Sequence, residues 1–279
     1  MSEMIKNNLM FRSLIVSLLS LISVTLTCQE KTKNTNQIPV EGQEGKNVPW
    51  ITTPQILVDK MLNLANITPA DFLIDLGSGD GRTVIAAAKR GTRSLGIEYN
   101  PGLVKLSKEN AEKEGVAKMT QFIEADIFEF DFSKATVISM FLLPEINMKL
   151  RPKLLDLKPG TRIVTNTFTM QEWHFDEVIR TGDQSSRWNT AYLWIVPSKV
   201  EGKWVLAQVG ELVFVQDFQM LTGTLKTGGK NLTITEGRLR GNEITFKIGA
   251  DNYVGTVTGK KIEGTLASGG KTKKWSASR

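Results

Sequence analysis

The sequence DFLIDLGSGDGR at residues 71–82 decides the fold. Residues 72–76 are apolar apart from Asp75 and have the length of a strand. They run into Gly77, Ser78, Gly79, Asp80 and Gly81, a turn rich in glycine. A helical pattern follows at once over residues 82–90 and stops at Gly91. A strand, a tight turn and a helix N-terminus in that order aim backbone N–H groups at a ligand. The glycines let the backbone pass close to it without Cβ clashes. Their spacing limits which ligand. A dinucleotide fingerprint, G-x-G-x-x-G, counted from Gly77 puts its third glycine at position 82. Position 82 is Arg, and the spacing is G-x-G-x-G.

The pattern repeats outward. Residues 93–98 (RSLGIE) read as a second strand ending in Glu98, followed by Tyr99, Asn100 and Pro101. An acid at the end of a second strand can accept hydrogen bonds from ribose hydroxyls. Residues 103–115 are helical in pattern, with Leu103, Val104, Leu106 and Ala111 on the apolar side. A third strand at 120–125 leads to Asp126 and Ile127, and a fourth at 136–141 ends in Phe141-Leu142-Leu143-Pro144-Glu145. A helix at 148–157 must take Pro152 in its first turn or be kinked by it, and a fifth strand covers 161–165. Upstream, Thr53 reads as an N-cap with Pro54 in the first turn. Ile56, Leu57, Met61, Leu62 and Leu64 supply the apolar stripe of that helix. Strand and helix in alternation predict a mainly parallel α/β sheet with right-handed crossovers. Candidates at 175–180 and 191–196, around a polar loop at 182–189, bring it to seven strands.

The G-x-G-x-G turn, with Asp75 two residues ahead of it, resembles the first motif of class I S-adenosylmethionine (SAM) methyltransferases. VPW at 48–50, DLGSGDGR at 75–82, GIEYNP at 96–101, EADIF at 124–128 and the FLLPEI and LKPGTRIV segments between 141 and 164 resemble one branch of them. That branch is the non-SET, seven-strand protein-lysine methyltransferases, including a small membrane-associated mitochondrial type, and their bacterial relatives. The resemblance covers residues 48–177. It implies a Rossmann-like, doubly wound fold and SAM as the methyl donor. It implies a SAM-binding set of Asp75, Gly77, Ser78, Gly79, Asp80, Gly81, Glu98, Tyr99, Asn100, Asp126 and Ile127, with Asp126 on the adenine amino group and Ile127 against the ring. The acceptor amine is expected near Phe141, Pro144 and Glu145, with Trp50 lining the entrance. Amino-methylating relatives often carry an Asn/Asp-Pro-Pro-Tyr-like motif there; FLLPE lacks it, and no general base is evident. In-line positioning of an already activated methyl group can supply much of the rate.

Composition sets bounds. The chain has 279 residues, enough for one large or two modest domains. The single cysteine, Cys28, rules out an internal disulfide and a cysteine-based zinc site, and the single His174 leaves little for a metal centre or a catalytic triad. No metal is expected. The net charge of +6 is uneven: residues 219–279 hold 11 Lys and Arg against 4 Asp and Glu, and the rest hold 24 against 25. No aromatic-rich RNA motif accompanies the basic segment, so a solvated face is expected rather than a nucleic-acid partner.

Residues 1–28 read as an export segment. Lys6 and Arg12 precede an apolar run at 14–26, shorter than the ~20 residues of a membrane span. Cys28 follows where a bacterial lipoprotein would be lipidated, though Thr25 and Thr27 replace the usual residues before it. A lipoprotein signal is the first reading; a plain signal peptide or an uncleaved anchor is the other. Both expect a membrane-attached or exported protein, or a domain anchored at the membrane and facing the cytoplasm. Residues 29–47 are polar and read as a tether. The expected catalytic domain is 48–200, followed by a β-rich domain at 201–279. There, glycine-punctuated short strands and hairpin turns at 240–243 and 258–261 suggest a small antiparallel meander or partial barrel. Three functions fit: a SAM-dependent methyltransferase acting on an amine such as protein lysine, a small-molecule methyltransferase, and a non-catalytic envelope-associated binding protein on the same fold.

Overall fold

A computed structural model describes residues 40–43, 49–182 and 187–279. The export-like segment with Cys28, most of the tether and part of the polar loop at 182–189 lie outside the described residues. Among the described residues no helix is long and apolar enough to cross a membrane.

Seven strands form the first sheet: β1 (Phe72–Leu76), β2 (Arg93–Glu98), β3 (Thr120–Glu124), β4 (Val137–Met140), β5 (Arg162–Asn166), β6 (Glu177–Arg180) and β7 (Thr190–Ile195). Their spatial order is β3-β2-β1-β4-β5-β7-β6. The first five are parallel, and β7 runs antiparallel between β5 and β6. The order reverses between β1 and β4, so a crevice opens at their carboxyl ends, where open α/β sheets bind ligands.

Among the described residues four α-helices flank the sheet: α1 (Gln55–Leu64), α2 (Arg82–Lys89), α3 (Pro101–Lys113) and α4 (Pro144–Leu155). The strand period of two divides their work. Ile74 and Leu76 of β1 pack on the α4 side with Leu150, Leu154, Trp173 and Trp194. Leu73 packs on the other side with Leu57, Val58, Met61 and Leu62 of α1. Each such side chain, fully buried, contributes roughly 1.5–3 kcal/mol of hydrophobic stabilisation. Asp75 alternates with Ile74 and Leu76, so it lies on the α1–α2 side beneath the glycine turn.

Two helix starts differ from the sequence expectation. Thr53 does not cap α1, which begins at Gln55 with Pro54 before it. The Thr53 hydroxyl instead accepts from Asn166 Nδ2 at 3.2 Å, a tertiary use of the cap. Ile56, placed in the apolar stripe, is 51% exposed. α4 starts at Pro144 rather than at 148, because Pro144 fits the first helical position, and Pro152 therefore lies inside the helix. Lacking an N–H, Pro152 cannot bond the Met148 carbonyl.

Residues 202–278 form eight consecutive antiparallel strands, β8 (Gly202–Leu206), β9 (Gly210–Asp217), β10 (Met220–Thr227), β11 (Lys230–Arg240), β12 (Glu243–Ile248), β13 (Asp251–Thr258), β14 (Lys261–Ser268) and β15 (Lys271–Ser278). They close into a full barrel, where the sequence left a meander or a partial barrel open. Closure rests on a short seam, Ala277 opposite Leu206 and Ser278 opposite Val205. Trp204, Phe214, Phe246, Tyr253 and Trp275 fill the interior, with Phe246 stacked on Tyr253 at 4.6 Å. A Cβ on Gly264 would lie 1.9 Å from the Val254 carbonyl, so only glycine lets these strands approach so closely.

The barrel packs against the end of the sheet where β5 and β6 begin. Arg238 bonds Asp176 at 2.7 Å, and the Asp176 side chain is fully buried. Arg240 pairs with Glu177, and Gln219 Nε2 donates to the His174 carbonyl at 2.7 Å. Phe218 stacks on Trp173 with centroids 6.1 Å apart. The junction thus lies opposite the crevice at the carboxyl end of β1.

Candidate active site

The turn after β1 is held by the end of β2. The N–H groups of Gly77 and Ser78 both donate to the Ile97 carbonyl, at 2.9 and 3.0 Å. Gly77, Gly79 and Gly81 all have positive φ, the region that favours glycine. Gly81 is doubly required: a Cβ there would meet Phe122 and Ser107 at 2.8 Å.

Glu98 connects the turn to the next loop. One carboxylate oxygen accepts from Gly79 N at 3.0 Å and the other from Asn100 N at 2.9 Å. The Asn100 side chain caps α3 by accepting from the N–H groups of Gly102 and Leu103, so its structure gives it a helix-capping use beside its place near the ligand set. Tyr99 is 43% exposed. Asp80 is clasped by Arg82 at 2.6 Å, and Arg82 also donates to the Thr53 carbonyl, joining the turn to the segment before α1. After β3, Asp126 accepts from Phe128 N at 2.9 Å and is half-buried, as is Ile127. Asp75, Glu98 and Asp126 thus follow one another at or beyond the carboxyl ends of β1, β2 and β3.

Asp75 is buried and receives a 2.6 Å bond from Ser139 of β4. Burial pushes its carboxyl up to about 7 against the lowering effect of Ser139, with Asp80 and Glu98 adding repulsion. The charges that act on it there are acidic, so a ligand cation would relieve it. Ser78 Oγ is buried without a hydrogen-bond partner. An acid short of a cation, an orphaned hydroxyl and a glycine cradle fit a SAM molecule, whose ammonium group and polar atoms complement them. Among the described residues no cluster of three or more His, Cys, Asp or Glu could hold a metal.

A strap closes one side. Gly42 N donates to the Trp50 carbonyl at 2.7 Å, and Trp50 N to the Gln43 carbonyl at 3.0 Å. Glu41 accepts from the hydroxyl and the N–H of Thr52, bonds that hold its carboxyl below the usual range. The Trp50 indole lies directly over Gly79. Trp50, Asp75, Gly77, Gly79, Met140 and Phe141 line one cleft. Pro144 and Glu145 open α4 just beyond it.

Two residues that sequence reasoning did not single out complete this edge. Phe168 follows β5, and Trp188 precedes β7 inside the stretch read as a polar loop. Phe141 meets Trp188 edge-on at 5.1 Å and Phe168 at 6.1 Å, and the latter two are 5.9 Å apart. An aromatic residue within an otherwise polar loop was the available signal for Trp188.

Residues 75–177 match the family model of the ANTKMT methyltransferase domain. A protein-lysine N-methyltransferase of Saccharolobus islandicus is 39% identical over 153 residues, 54% of this chain and 94% of that protein. The adenine nucleotide translocase lysine N-methyltransferase of Mus musculus is 32% identical over 137 residues, 48% of this chain and 59% of that protein. Among solved structures, one described as an RNA methyltransferase from Salinibacter ruber in complex with S-adenosylhomocysteine is 44% identical. It has a TM-score of 0.50 and covers 54% of this chain and 96% of its own. The family match ends at residue 177, ahead of the barrel.

Proposed function

Because the chain belongs to the class I SAM-dependent methyltransferases, in their non-SET protein-lysine branch, we propose that it methylates lysine side chains of a protein. The observation that carries the reading is the glycine turn with Asp75, which lines one cleft with Phe141, together with Glu98 bonded to that turn and Asp126 after the third strand. In this reading Asp75 receives the donor's ammonium group, Glu98 the ribose hydroxyls and Asp126 the adenine edge. Gly77, Gly79 and Gly81 give the donor's chain room against the backbone. When bound, SAM supplies a methyl group already activated by its sulfonium charge. The chain's own task is to hold a neutral amine in line with that methyl group and to keep water out, which Trp50 and Phe141 do as walls of the cleft. No side chain need act as a strong base, because the amine can lose its proton to solvent before it enters.

The acceptor is tested by incubating the full chain with methyl-labelled SAM and total protein or total RNA. The expected result is label in protein, recovered as methyl-lysine after acid hydrolysis. Label confined to RNA would move the acceptor to the class named for the Salinibacter ruber relative. The cellular location belongs to the same proposal: residues 1–28 act as a lipoprotein-type export segment that attaches the protein to a membrane through Cys28. On cell fractionation the full chain should sediment with membranes and a Cys28→Ser variant should not, and equal sedimentation of the two would count against attachment through Cys28.

A further inference from the structure

We propose that the free end of the barrel is a docking face for an anionic lipid surface, formed by Lys230, Lys271, Lys273 and Lys274 with Val209 and Leu232. The inference rests on the membrane attachment proposed above and goes beyond the methyltransferase reading. Phe218 and Gln219 between β9 and β10, and Gly241 and Asn242 between β11 and β12, touch the sheet domain. In an antiparallel barrel the turns alternate between ends, so those after β8, β10, β12 and β14 form the end away from the sheet. Basic charge is used differently at the two ends. At the junction, Arg238 and Arg240 are paired with Asp176 and Glu177. At the free end, Lys230, Lys271, Lys273 and Lys274 are exposed and have no ion-pair partner among the described residues. Of the acids at this end, Glu211 is already shared by Lys203 and Lys226 at 3.6 Å, and Asp251 is half-buried.

The same short sequence, Gly-Gly-Lys, makes the turns at 228–230 and 269–271. All four of these glycines have positive φ and open space where a side chain would be. The tips are therefore bare backbone, and the lysine after each is the first charge that an approaching flat surface meets. β11 and β15, which carry these lysines, are four strands apart in the eight-strand ring, on opposite sides of the mouth. Lys273 and Lys274 follow on β15 and point to alternate sides of it. Val209, in the turn after β8, is 48% exposed, and Leu232, two residues beyond Lys230, is 39% exposed. Lysines around exposed aliphatic groups suit a phospholipid surface, where the ammonium groups meet phosphate and the apolar side chains enter the headgroup boundary. Phe246 and Tyr253 beneath this end are buried, so these rings are not offered to a nucleic-acid base. The contact is reversible: it orients a protein attached through residues 1–28 and does not replace that attachment. Because this end lies opposite the cleft, the cleft then faces away from the lipid, toward protein in the aqueous phase.

The test measures co-sedimentation of the full chain, carrying Cys28→Ser, with vesicles of phosphatidylcholine alone and with one-third phosphatidylglycerol. The readout is the preference for the anionic vesicles, and high salt should erase it. Each lysine at such a surface strengthens binding about five-fold. A variant combining Lys230→Gln, Lys271→Gln, Lys273→Gln and Lys274→Gln should therefore lose the preference by about 100-fold or more. A control combining Lys105→Gln, Lys108→Gln, Lys113→Gln and Lys118→Gln, at exposed positions on α3 and beyond it, has the same net charge and should keep the preference. Equal binding of the parent to both kinds of vesicle, or equal loss in the two variants, would overturn the docking face. So would binding of duplex RNA in place of the anionic vesicles. None of these results touches the methyltransferase reading, because no SAM is involved. All of the proteins lack Cys28, so the outcome is separate from that of the cell fractionation.

Discussion

Asp75 carries the sharpest residue-scale consequence. Its carboxyl titrates near 7 in the fold against about 3.9 in an unfolded chain. The folded state therefore holds a proton that the unfolded state has released between those values. Stability contributed by this group falls as pH rises from about 4 to about 7, and the cost of its buried charge is complete above that. Asp75→Asn keeps an acceptor for Ser139 but removes the charge. The ligand-free variant should thus be more stable than the parent at pH 8, by an amount on the order of 4 kcal/mol at most, and level with it near pH 4. Urea unfolding at the two pH values checks this; equal stability at pH 8 would count against the buried charge. The same residue links affinity to pH. Binding a cationic ammonium group needs Asp75 ionised, so S-adenosylhomocysteine affinity should fall as pH drops below about 7 and level off above it. Calorimetric titrations from pH 5.5 to 8.5 read that slope, and Asp75→Asn should flatten it while weakening binding throughout. The sequence made Asp75 visible as an acid ahead of the glycines. It did not reveal Ser139 beneath it, because that contact joins residues 64 apart across two strands.

At the scale of elements, the strand–turn–helix unit was legible because apolar period, glycine spacing and helix pattern agree within a dozen residues. The start of α1 was not, because Thr53 spends its hydroxyl on Asn166 across the fold rather than on its own helix. Phe168 and Trp188 were not, because each lies in a connection and gains meaning only where β5 and β7 bring it to Phe141. Gly81 shows how tightly the turn is built. Gly81→Ala combines a positive φ with contacts to Phe122 and Ser107, and should destabilise the protein by roughly 1–3 kcal/mol. Denaturant midpoints measure that directly. A neutral result would mean that α2 shifts freely away from α3 and β3.

On the scale of the whole molecule, barrel and sheet act as one body. Both fall within a single compact unit. Asp176 is the clearest joint: its buried carboxylate accepts from Arg238 of the barrel and from Ile195 N of the sheet at 2.8 Å. One cooperative unfolding transition is expected for the parent protein. Asp176→Ala should lower stability by roughly 1.5–3 kcal/mol, the range for bonds to a charged group. Two separate transitions in the parent would contradict the joint. The glycine-punctuated repeats announced the antiparallel strands, but the seam between β15 and β8 depends on distant residues and could not be read locally. The docking of the barrel against the far end of the sheet was equally hidden, since its ion pairs join residues about sixty positions apart.

The measurement that bears most directly on the account is calorimetric titration of S-adenosylhomocysteine into the full chain and into Glu98→Ala. One ligand per chain is expected, with affinity at least about ten-fold weaker in the variant, since a charge-assisted hydrogen-bond partner is removed. No binding by the folded protein, or binding that Glu98→Ala leaves unchanged, would contradict it.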